Sequence, residues 1–168
     1  MRVSLSSQYG LNGLSYNLPV VVEILIHLLF IIITLITLQL RRFSVLTPFC
    51  YLLVLFLAGL RYNNTLHIPP LTTLAACYLS QLPGIIAALL IITGELWPSD
   101  LAVFEFIAQI WQTPLYPLYP LLPRAAYGDV LLYFLITINA SFVLPLIPAA
   151  GSSLSRLAKT IETRCSNR

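Results

Sequence analysis

LPVVVEILIHLLFIIITLITLQL, residues 18 to 40, holds only two ionisable side chains, Glu23 and His27. As a helix the stretch reaches about 35 Å, enough to cross a hydrocarbon core of about 30 Å. Arg41 and Arg42 close it. It is too long for a cleaved signal peptide and lies far from any small-residue cleavage site, so it reads as a retained signal anchor. Pro19 is expected in its first turn, where a missing N–H costs nothing. The polar residues Glu23, His27, Thr34 and Thr37 follow at spacings of four, seven and three. On a helix these fall within one sector of about 80°. Polar groups are costly against lipid, so this sector predicts a face turned toward protein.

The rest of the chain has the same character. Charged residues make up 9% of the 168 and the hydrophobic set 58%, with mean hydropathy +0.88. Soluble domains average about 25% charged, so the composition excludes one. The expected fold class is an all-α integral membrane protein, a compact bundle of about five transmembrane segments. The segments are residues 18–40, 45–61, 71–94, 101–123 and 130–149, making a multi-pass bundle over 18–149. A loose polar N-terminal tail, 1–17, precedes them, and a basic C-terminal tail, 150–168, follows. Leu154, Leu157, Ala158 and Ile161 give that tail an apolar stripe suited to lying on a membrane surface. Thr72, Ala76, Ser80, Gly84 and Ala88 recur every four residues in the third segment, a small-residue face for close helix packing. Pro83 should kink that helix.

The fourth segment is broken. In TPLYPLYPLLPR, residues 113 to 124, Pro114, Pro117, Pro120 and Pro123 recur every third position. Proline in a helix interior removes a donor and clashes with the preceding turn. The period of three matches polyproline II, and that conformation is expected here. The helix before it, Leu101 to Gln112, reaches only about 18 Å, so the segment either spans with the extended strand's help or re-enters.

Orientation is finely balanced in the sequence. Five spans put Arg41, Arg42 and the four basic tail residues on one side. Four spans put Arg2, Arg61 and the tail on one side, and the majority is again six of nine. The arginine pair directly after the first span favours five. That arrangement sets the Asn63-Asn64-Thr65 sequon in a lumenal loop, with Asn63 a glycosylation candidate. Endoplasmic reticulum and plasma membrane are not distinguished.

Glu23, His27 and Glu105 are the candidate catalytic groups, because ionisable residues within spans mark functional sites. Gln109 and Gln112 share a helix face with Glu105 by their spacing of four and three. With Asn139, expected deep in the fifth segment, and Tyr116 and Tyr119 beside the prolines, they are the candidate binding residues. Trp111 lies off that face and reads as an interfacial anchor. Cys50 and Cys77 read as packing residues; no CxxC or other metal-ligand spacing occurs. No cofactor or metal is expected, and no nucleic-acid partner. No hydrolase, metalloprotease or phosphate-loop motif is present. Two functions fit. One is a non-catalytic membrane factor, a subunit, assembly partner or lipid-handling component, in contact with membrane lipids and a membrane-protein partner. The other is an acid/base enzyme, an isomerase or cyclase, acting on a lipophilic sterol- or terpenoid-like molecule through Glu23, His27 and Glu105. The second requires those three groups to converge on one site.

Overall fold

The computed structural model describes residues 6–40, 44–93, 98–122, 126–127 and 130–166. Almost all of them are helical. The elements are α1 (Ser6–Leu40), α2 (Leu46–Thr65), α3 (Pro70–Ser80), α4 (Leu82–Thr93), α5 (Pro98–Trp111), a 3₁₀ helix (Thr113–Leu121), α6 (Leu132–Val143) and α7 (Leu146–Ser166). Strands β1 (Ala126–Tyr127) and β2 (Val130–Leu131) form a two-residue antiparallel pair ahead of α6.

The bundle is polar inside and apolar outside. Glu23, His27, Thr34, Thr47, Thr73, Ser80, Gln81, Gln112, Ser141 and Ser152 are all buried. Leu25, Leu29, Ile32, Leu35 and Ile36 of α1, and Leu53 and Leu57 of α2, are at least half exposed. Water would reject that surface, whereas lipid accepts it and forces the polar groups inward. Among the described residues, two helices are long and apolar enough to cross a membrane, or three if α3 and α4 form one bent span. The polar sector of α1 faces inward as its spacing predicts.

The expected segments 101–123 and 130–149 are each divided. The first is α5 followed by the 3₁₀ helix. The second breaks at Leu144 and Pro145, where α6 stops and α7 starts. Pro148 then falls in the first turn of α7, where its missing N–H is harmless. In the third segment the kink comes at Gln81, with α3 and α4 bent by 64°. Pro83 accounts for it: its missing N–H and its ring disrupt the turn ahead of it. Pro19 is not in a first turn, because α1 begins at Ser6; the N-terminal stretch expected to be loose is helical from there.

The proline ladder is not polyproline II. Thr113–Leu121 is a 3₁₀ helix, with Leu115 N–H donating to Gln112 O at 2.9 Å and Leu122 N–H to Tyr119 O at 3.1 Å. Both conformations repeat every three residues and both accept proline's φ. Polyproline II leaves every carbonyl bare, whereas the 3₁₀ turn pairs some of them within the segment. Pro114 and Pro117 are buried, and the 3₁₀ helix packs against α1 and α2. Leu115 packs against the core formed by Phe30, Tyr51, Leu55 and Leu144.

The most extensive helix pairing is α2 with α7. A Cβ on Gly59 would collide with the Pro148 backbone, and one on Gly151 with the Phe56 carbonyl. Only glycine permits that approach. Further along, Asn63 Nδ2 donates to Ser155 Oγ at 2.9 Å, and Lys159 Nζ to Asn63 O at 3.2 Å. From Gly59 on Pro148 to Asn63 on Ser155 and Lys159 the pairing moves forward along both helices, so α2 and α7 run parallel. The start of α7 is therefore packed against α2, with Pro148, Gly151, Ser152 and Ser155 buried, while the stripe Leu154, Leu157, Ala158 and Ile161 is exposed. Asn63 sits in the last turns of α2, not in a loop, with its amide already donating to Ser155. His67, in the left-handed region at φ 55°, ends α2, and Ile68 N–H returns to Tyr62 O, closing the helix as a left-handed cap does.

The parallel run puts the end of α2 and the basic end of α7 at the same end of the bundle. Five spans with Asn63 and the tail on opposite sides do not fit it. An impermeant maleimide should label Cys165 and a cysteine at His67→Cys from the same side of sealed vesicles. Labelling from opposite sides would break the parallel pairing.

Candidate functional site

Glu23 and His27 lie one turn apart on α1, both buried, and each is held by a different set of partners. The Tyr62 hydroxyl donates to Glu23 Oε1 at 3.1 Å, and the Cys77 thiol also reaches this carboxyl. Tyr62 comes from the end of α2 and Cys77 from α3, so Glu23 ties three helices together at this level.

His27 anchors a second circuit. Its Nε2 lies 2.7 Å from the Trp111 carbonyl oxygen and its Nδ1 2.7 Å from the Tyr51 hydroxyl. A carbonyl only accepts, so the proton of the neutral imidazole is on Nε2 and Nδ1 accepts from Tyr51. Trp111 Nε1–H in turn donates to Gln81 Oε1 at 2.8 Å. The remaining donor of the Gln81 amide is Nε2, and this amide interacts with the Tyr51 oxygen. The three bonds form a chain through Trp111, from Tyr51 to His27 to the Trp111 carbonyl and from the Trp111 indole to Gln81. It links α1, α2, the α3–α4 bend and the end of α5. Aromatic contacts reinforce it: the His27 and Trp111 rings are 4.4 Å apart at 34°, and Phe30 packs on Tyr51 at 5.2 Å.

Gly84 seats Trp111. A Cβ there would lie 2.5 Å from Trp111 Cδ1 and 2.5 Å from Ser141 Oγ. Ala76, Ser80, Gly84 and Ala88 of the expected small-residue face are buried, while Thr72 is half-buried and Thr73 takes the buried position instead. Trp111 is therefore not an outward anchor. Its indole points into the bundle because the bend at Gln81 opens room for it and offers an acceptor.

The other expected site residues are spread out. Glu105 is half-buried on α5, six residues and about 9 Å along the axis from Trp111, and bonds no described residue. Gln109 is exposed. Gln112 is buried, accepts from Tyr119 OH at 2.9 Å, and leaves its Nε2 without a partner. The three thus do not form one inward face. Tyr116 is exposed and meets Tyr119 edge-on at 5.9 Å. Asn139 is exposed on α6, whereas Ser141, two positions on, is buried. Cys77 is buried but Cys50 is exposed, so only the former is a packing residue. Among the described residues, no three His, Cys, Asp or Glu side chains cluster to hold a metal.

Tyr51, Tyr62 and Gln81 were not marked by sequence. Tyr51 reads in sequence as one more aromatic in an apolar run, Tyr62 as part of the polar stretch Arg61 to Thr65 at the end of its segment, and Gln81 as a neighbour of the small-residue row. The sequence matches no protein-family model, and neither a curated protein nor a solved structure matches it.

Tyr51→Phe removes one hydroxyl and leaves His27 Nδ1 short of a partner. It should cost about 1–3 kcal/mol in reversible unfolding from mixed micelles. Ser141→Ala deletes a buried hydroxyl that has no partner and should be neutral or stabilising. Equal losses in the two variants would show that the circuit carries no special weight.

Proposed function

We propose that this chain is a non-catalytic multi-pass membrane factor, a subunit or assembly partner whose polar interior holds its own bundle together. The observation that carries this reading is the division of its polar groups. Both His27 nitrogens and the Glu23 carboxyl are occupied within the bundle, while Glu105 stands apart from them. An acid/base pair acting on a lipophilic substrate needs its groups free and aimed at one place. Here they are bound and separated, which weighs against the isomerase or cyclase reading.

The outer face of α5 supports a protein partner. Gln109 is exposed and Glu105 half-buried one turn before it, among apolar neighbours such as Val103, Phe106 and Ile110. Polar side chains at membrane depth normally face protein. Two that this bundle does not cover are suited to a partner helix that hydrogen-bonds them. For orientation, Arg61, Arg156, Lys159 and Arg164 share one end of the bundle, and the positive-inside tendency assigns that end to the cytoplasm. Asn63 then faces the cytoplasm too and escapes glycosylation.

A photo-crosslinking residue at Gln109, used in native membranes, should capture a protein. The adduct should disappear when Glu105→Leu and Ile110→Ala are combined with it, while the level of the chain itself is kept. Adducts to lipid alone, or a protein adduct indifferent to those changes, would count against the subunit reading.

A further inference from the structure

A groove of about 300 Å³ runs between α1 and α2 on the outer surface of the bundle. Its walls are Ile26 of α1 and Val54, Leu57 and Ala58 of α2, and it ends at Arg61 and Tyr62. The walls offer no polar partner, so along its length the groove suits hydrocarbon. The end is different. Arg61 is exposed, and its guanidinium makes no hydrogen bond or ion pair with a described residue. It sits one turn before the end of α2, level with Asn63 and Asn64, where the helix leaves its apolar run.

We infer that this groove holds one acyl chain of an anionic glycerophospholipid, with its phosphate on Arg61. The apolar walls take the chain and the fixed cation takes the headgroup. The planar fork of an arginine matches phosphate oxygens in two-point geometry. Lys159 does not compete for the same role. Lys159 donates to the carbonyls of Asn63 and Asn64, which end α2, and shares its own surface hollow with Glu162, whose carboxylate repels an anion. Tyr62 already donates its hydroxyl to Glu23, so it contributes its ring to the groove and leaves the headgroup to Arg61. The shared basic end, which the positive-inside tendency assigns to the cytoplasmic leaflet, is the leaflet that carries anionic lipid.

The test places the purified chain in nanodiscs of mixed phosphatidylcholine and phosphatidylglycerol, and native mass spectrometry counts the lipids it retains. The wild type should keep phosphatidylglycerol in preference to phosphatidylcholine. Arg61→Gln should lower that preference about fivefold, the weight of one basic residue near an anionic surface, and Arg61→Lys should keep most of it. Lys159→Gln should leave it unchanged. Ala58→Trp fills the groove and should reduce retention of both lipids. Leu57→Ser, at an exposed position with no added bulk, should do the same and serves should Ala58→Trp misfold. Equal retention of the two lipids by the wild type would overturn the inference. A preference that survives Arg61→Gln, one lost with Lys159→Gln, or retention unaffected by both groove variants would each do so as well.

Discussion

The structure depends on the cost of a polar group that meets hydrocarbon without a partner. An imidazole, a phenol, an amide and an indole at membrane depth each lose their hydration, and each unmatched group costs several kcal/mol in the hydrocarbon core, about what a lost hydrogen bond costs in an apolar solvent. The chain resolves this by matching them to one another. Trp111 donates to Gln81, Gln81 faces Tyr51, Tyr51 donates to His27, and His27 donates to the carbonyl that ends α5. No single helix supplies two members of this circuit. Satisfying the groups therefore requires α1, α2, the α3–α4 bend and α5 to meet at one point, which fixes the bundle as apolar contact alone would not.

Other features can be understood as making that meeting possible. Gly84 leaves room for the indole, and the bend ahead of Pro83 turns Gln81 toward it. The 3₁₀ helix directly after Gln112 brings Pro114 and Pro117 in against α1 and α2 without a long run of bare carbonyls. On the far side, Gly59 and Gly151 let α7 lie against α2, and Ser155, Asn63 and Lys159 register the two helices at their polar end. The Glu23 cluster with Tyr62 and Cys77 repeats the same solution near that end. A chain with few charges has used Glu23, His27, Tyr51, Tyr62, Gln81 and Trp111 to bond itself at depth. The polar side chains it leaves outside, on α5 and at Arg61, are where contact with other molecules is proposed.

Sequence made the inward face of α1 legible because four polar residues share one helical sector, a signal that period alone carries. The small-residue row of α3 and α4 was legible for the same reason. What escaped it was of another kind. Polyproline II and a 3₁₀ helix have the same period and the same proline φ, so spacing cannot separate them; the need to pair carbonyls in lipid does. The pairing of Gly59 with Pro148 lies almost ninety positions apart in sequence, and no periodicity within either helix announces it. Trp111 was assigned outward from its helical angle, but a ring that large reaches around its helix once a neighbouring glycine leaves space. Asn139 was placed inside for its type and is exposed, whereas Ser141, two positions away and on a different face, is enclosed.

The tautomer of His27 is the most specific consequence, because the Trp111 carbonyl decides which ring nitrogen carries the proton. His67→Gln leaves His27 as the only histidine in the chain, so ¹⁵N spectra of histidine-labelled protein in micelles report it alone. The account predicts two distinct, non-averaging ring nitrogens: Nε2 carrying its proton in slow exchange, and Nδ1 unprotonated and accepting a hydrogen bond that disappears with Tyr51→Phe. A single averaged pair of nitrogens, or a proton on Nδ1, would contradict it.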